Sequence, residues 1–148
     1  MRRTLRIVHV GLVLVITTAV LVQAALAGQF VSDLSNALPI HGAVGGMLEL
    51  LGLLLLIVAI AHRFAGERTR AVLAGSIVLA VALEAQAALG WAPGALPTAI
   101  HVPLGVAIFA IAVGLSTVMV RMVTAAQPAD DGSADRTVAK AGPGGARP

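Results

Sequence analysis

Four long apolar runs, set apart by short segments that hold most of the polar residues, organise the first 120 residues of the chain. They cover about Ile7–Ala27, Pro39–Ala61, Ala71–Trp91 and Thr98–Val120. At a rise of about 1.5 Å per residue, each is long enough to cross roughly 30 Å of hydrocarbon. None alternates between apolar and polar positions as a barrel strand does, and a backbone in lipid must satisfy its own hydrogen bonds, so the runs predict helices. Pro39 and Pro97 then fall at helix starts, where a missing N–H costs little. The pattern predicts an all-α integral membrane protein: a four-helix up-down-up-down bundle over residues 1–126.

Charge gives this bundle a direction. Arg2, Arg3 and Arg6 precede the first run, Arg63, Arg68 and Arg70 separate the second from the third, and Arg121, Arg136, Lys140 and Arg147 follow the fourth. The other two connections, Gly28–Leu38 and Ala92–Pro97, contain no Lys or Arg. Under the positive-inside rule, both termini and the middle connection face the cytoplasm of a cell membrane. Composition agrees, since 58% of the residues are hydrophobic and 11% charged, too few charges to coat a water-soluble fold. The net charge of +3 is spread between apolar runs with few aromatics, which argues against a nucleic-acid partner and leaves the lipid bilayer as the main one. No cysteine is present, so disulfides, thiolate metal sites and cysteine nucleophiles are excluded. From about Gln127 the chain is rich in Ala, Gly, Pro and Asp, and residues 127–148 are expected to form a disordered cytoplasmic tail. The arginine-rich start with Ala25-Leu26-Ala27 also resembles a cleavable signal peptide. The length of the apolar run and the repeat described next favour a retained helix.

The chain repeats itself. Gln23-Ala24-Ala25-Leu26-Ala27-Gly28 recurs as Gln86-Ala87-Ala88-Leu89-Gly90, and Leu38-Pro39 leads to His41 as Leu96-Pro97 leads to His101. Each histidine has glycine four positions later, Gly45 and Gly105, and a small residue eleven later, Gly52 and Ala112. Offsets of four and eleven return to within about 40° of the same helix face, so each even-numbered helix has a histidine above a stripe of small residues. Ala19 and Ala82 stand one turn before the two glutamines, and Ala27 and Gly90 one turn after. The bundle is thus two copies of one helical hairpin in parallel orientation, which brings His41 and His101 to one depth near the outer face.

In such a bundle the second and fourth helices are diagonal, with axes roughly 12–14 Å apart when neighbours pack at about 8–10 Å. Two imidazoles facing across that diagonal suit a metal between them. A b-type haem with His41 and His101 as axial ligands fits, with Gln23 and Gln86 as hydrogen-bonding supports and Gly45 and Gly105 beside the macrocycle. The plainer account makes the small residues helix-packing positions and the polar ones interhelical hydrogen-bond partners.

On Gln23, Gly28, His41, Gln86, Gly90, His101 and the apolar run after each histidine, the chain resembles one half of the haem A synthase type of membrane protein, and also small four-helix membrane proteins without an assigned function. The first resemblance implies that His41 and His101 take the haem-ligand positions. The chain has one such half, and its outer connections lack the Arg or Lys that commonly pairs with haem propionates. Ser32, Ser35, Asn36, Trp91 and Thr98 are the substitute donors there.

Two carboxylic acids lie inside apolar runs, Glu49 and Glu84, both in the outer half of the bilayer. An intramembrane carboxyl is costly when ionised, so they are candidates for a proton or ion pathway, or are protonated and hydrogen-bonded to a neighbouring helix. His9 and His62 fall at the opposite end beside Arg6 and Arg63 and read as interface histidines, with an inner second haem the lesser alternative. No nucleophile–base pair, phosphate loop or HExxH motif points to an enzyme. The expected function is electron transfer or haem handling through one haem b, with a membrane redox or assembly partner. The alternatives are a cofactor-free packing or assembly subunit, and an ion pathway through Glu49 and Glu84.

Overall fold

The computed structural model describes residues 2–32, 37–65 and 70–125. They form four helices, α1 (Arg2–Val31), α2 (Ala37–Phe64), α3 (Arg70–Trp91) and α4 (Ala95–Ala125), each long and apolar enough to cross a membrane. All but α3 run several residues past the apolar stretches at both ends, because the flanking Arg, Leu, Met and Ala residues favour helix as well as the core does. Pro39 and Pro97 each take the third helical position, inside the first turn. The connection between α3 and α4 turns at Gly94, whose φ of 113° lies in the left-handed region that a side chain would strain. Ser35, Asn36 and the tail from Gln127 lie outside the described residues.

Helix α1 packs on α2 and α4, and α3 packs on α2 and α4, while α1–α3 and α2–α4 do not touch along their backbones. This is the square up-down-up-down bundle of the sequence reading, with α2 and α4 on a diagonal. Its core is a column of residues from all four helices, among them Val13, Ile16, Leu55, Leu79, Ile108 and Ala112. The outside is equally apolar: Leu21, Leu50, Val81 and Val106 are exposed. Such a coat is an aggregation surface in water and the expected surface in lipid.

With lipid as apolar as the core, the helices are held by close packing and interhelical hydrogen bonds rather than by a hydrophobic difference. Gly75 lets α4 approach, since a Cβ there would stand 3.2 Å from a Leu115 methyl. Thr17 of α1 and Ser116 of α4 share a hydroxyl hydrogen bond of 3.0 Å; the Thr17 hydroxyl donates to the Val13 carbonyl, so Ser116 is the donor between them. Helix α1 also supplies residues to two further polar contacts described below, so it is a wall of the bundle.

Candidate functional site

At the end of the bundle away from the termini, His41 opens α2 and His101 opens α4. Their ring centres stand 6.3 Å apart with the planes tilted by 59°. Both side chains are half-buried. The backbones of the helices that carry them do not approach closely, so the two rings meet across the diagonal of the bundle. Nitrogen in a metal-bound imidazole stands about 2 Å from the metal and about 1 Å from its own ring centre, so two rings on one metal have centres about 6 Å apart. The observed spacing fits two axial ligands of one ion.

The two glutamines reach these histidines through the backbone. Gln23 Nε2 donates to the His41 carbonyl at 2.9 Å, and Gln86 Nε2 donates to the His101 carbonyl at 3.0 Å. Each bond ties an odd helix to the start of the following even helix, and the pair repeats the internal symmetry of the sequence. The second hairpin adds a bond: His101 Nδ1 stands 3.1 Å from the Gln86 carbonyl oxygen. A carbonyl only accepts, so Nδ1 carries the proton and Nε2 is the nitrogen with the lone pair, the tautomer an axial ligand needs. His41 Nδ1 is buried without a hydrogen-bond partner, as are Gln23 Oε1 and Gln86 Oε1. Buried polar atoms without partners are few in folded proteins, and three of those in this bundle lie at the end that holds His41 and His101.

The small residues divide their work in a way that spacing alone does not show. A Cβ on Gly45 would meet Gln23 Nε2 at 3.2 Å, and one on Gly105 would meet Gln86 Nε2 at 3.2 Å, so both glycines make room for the glutamine amides. Gly90 makes room for the His101 ring, whose Cε1 would be 3.2 Å from an added methyl. Gly52 faces Leu83 and Glu84, while Ala19 and Ala112 belong to the packed core beneath the histidines. Of the other polar residues at this end, Ser32 and Thr98 donate to backbone carbonyls four residues earlier, those of Gly28 and Gly94, and Trp91 is exposed. Pro103 lies inside α4 two residues after His101 and removes one backbone donor from that turn.

Glu49 and Glu84 stand on the adjacent helices α2 and α3 and are both half-buried. Glu84 Oε1 is buried without a hydrogen-bond partner and lies against Gly52.

The opposite end holds a cluster that the sequence reading had treated as interfacial. His9 is wholly buried and His62 nearly so, which corrects that expectation. Their Nδ1 atoms are 3.0 Å apart, their ring centres 5.2 Å apart at 74°, and His9 Nε2 is 3.0 Å from the Ser76 hydroxyl. Nitrogens in direct hydrogen-bond contact leave no room for a haem iron between them, so the inner second haem is not supported. Three separate helices supply these residues, and no local pattern in the chain announces them. Among the described residues no three His, Asp or Glu side chains gather into a metal-sized group.

The chain matches no family model, no curated protein and no solved structure, so none of these comparisons supports the resemblance to the haem A synthase type.

Proposed function

We propose that this protein binds one b-type haem between α2 and α4, with His41 and His101 as axial ligands, and serves electron transfer or haem handling in the cell membrane with both termini in the cytoplasm. The observation that supports the reading is the 6.3 Å separation of two imidazole centres from helices on the diagonal of the bundle. Haem held by His41 and His101 would supply one-electron transfer. The chain's own part is to orient the rings. Gln86 sets the tautomer of His101 through its carbonyl, and both glutamine amides anchor the first turns from which the histidines project. At the rim the exposed Trp91 is available to a propionate, whereas Ser32 and Thr98 already donate to the Gly28 and Gly94 carbonyls and would have to turn away from them.

Full-length protein, solubilised after expression with ample haem, is expected to show the absorption spectrum of a bis-histidine haem, lost in His41→Ala and in His101→Ala. Folded but colourless wild-type protein that co-purifies with other membrane subunits overturns the reading in favour of the assembly role.

One observation favours a second reading, a proton or ion pathway: the unpartnered Glu84 carboxyl oxygen beside α2, the helix of Glu49. It requires flux in proteoliposomes that disappears in Glu84→Gln, whether or not haem is present.

A further inference from the structure

The buried cluster at the terminal end of the bundle has features that helix packing alone does not require. His9 Nδ1 and His62 Nδ1 point at one another from α1 and α2 at 3.0 Å. Beside them is a cavity of about 10 Å³, lined by both histidines together with Arg63, Val72 and Met122. That volume is close to the least that holds a water molecule, and it also suits a bare ion. Two histidines and a methionine, from three different helices, therefore border one small space.

From this geometry we propose a second site, a soft monovalent metal site for Cu(I), with His9 Nδ1, His62 Nδ1 and the Met122 sulfur as ligands. Thioether and imidazole together select copper among the common biological metals. Metal–imidazole bonds of about 2.0–2.1 Å on nitrogens at the observed spacing subtend roughly 95°, and a small rotation of either ring widens this toward a trigonal arrangement. Ser76 already holds the far side of His9: with its proton on Nε2, His9 donates to the Ser76 hydroxyl and turns a bare Nδ1 toward the cavity. In the metal-free pair one Nδ1 donates to the other. As the ion enters, the donating ring moves that proton to its own Nε2, so neutral imidazoles bind the ion with no net proton release. Arg63 on the cavity wall, exposed and cationic, makes a divalent ion costlier there than a monovalent one. The other ring pair among the described residues, His41 and His101, lies at the opposite end of the bundle, so this site is separate from the one proposed there.

The experiment titrates detergent-solubilised full-length protein with Cu(I) under anaerobic conditions against a chromogenic Cu(I) chelator, followed by X-ray absorption of the loaded protein. One equivalent is expected, with nitrogen and sulfur scatterers. His9→Gln and His62→Gln should each weaken binding roughly tenfold or more. Met122→Leu conserves side-chain volume and leaves the fold intact, and should remove the sulfur scatterer. Absence of binding, unchanged affinity in His62→Gln, or sulfur scattering that persists in Met122→Leu would each overturn the proposal.

Discussion

Gln86 holds His101 at two points: its side-chain amide donates to the His101 carbonyl, and its own backbone carbonyl accepts from His101 Nδ1. Gln23 holds His41 only by the first of these bonds. The two hairpins are thus alike in how they fix the start of each even helix and unlike in how they fix the ring.

That difference coincides with one position. Four residues after Gln86 stands Gly90, where an added methyl would lie 3.2 Å from His101 Cε1; four residues after Gln23 stands Ala27. Gly90→Ala is therefore expected to push the His101 ring off the Gln86 carbonyl. Nitrogen-15 spectra of labelled histidine should show His101 losing its fixed Nδ1–H tautomer, and haem affinity should fall roughly tenfold. Gly28→Ala, with nothing within 4 Å, is the control and should change neither. An unshifted His101 resonance in Gly90→Ala would show that the ring is oriented by something else.

The glutamine amides make a prediction of coupling. Gln23→Leu and Gln86→Leu each remove one interhelical hydrogen bond, worth about 1 kcal/mol in a membrane bundle. Gly45→Ala and Gly105→Ala crowd the same amides from the other side, each at a contact of 3.2 Å. If glycine and glutamine act as a unit, the cost of Gly45→Ala shrinks in a Gln23→Leu background. Unfolding in a graded denaturing detergent gives the four stabilities of the cycle, and strict additivity would separate the two residues.

Much of this was legible in the chain, for reasons that differ from residue to residue. The helices follow from apolar runs that lipid permits in no other form, and the up-down order from connections too short for another path. His41 and His101 stand out because duplication writes the same residue twice at the same depth. The role of Gly45 was hidden, since a helical stripe shows that space is left and not which neighbour fills it; the Gln23 amide arrives from α1 at a register that only packing fixes. His9, His62 and Ser76 were hidden more deeply. They sit on three helices, without repeat or motif, and beside arginines that suggested an interface; burial among Val72, Leu73 and Met122 is a property of the assembled bundle.

A smaller test addresses the one hydroxyl pair that joins α1 to α4. Ser116 donates to Thr17, and Thr17 to its own helix at Val13. Ser116→Ala should cost about 0.6 kcal/mol, the average for an interhelical hydrogen bond in a membrane protein, and should leave the spectrum of bound haem unchanged. A cost near zero would mean that Ser116 is satisfied equally well within α4.

Orientation is the last expectation with a direct measurement, and the chain is well suited to it because it has no cysteine to remove. Ser32 and Thr98 are exposed at the ends of α1 and α4 that adjoin the arginine-free connections, and Thr124 is exposed near the end of α4 where arginines gather. Under the positive-inside rule Ser32→Cys and Thr98→Cys should react with a membrane-impermeant maleimide in intact cells, whereas Thr124→Cys should react only after permeabilisation. The three hydroxyls bond to backbone carbonyls three or four residues earlier in the chain, so the substitutions should be nearly neutral for folding. Labelling of Thr124→Cys from outside would invert the protein. The candidate haem would then lie on the cytoplasmic face and the His9–His62 pair on the outer one, where a Cu(I) ion would meet an oxidising environment.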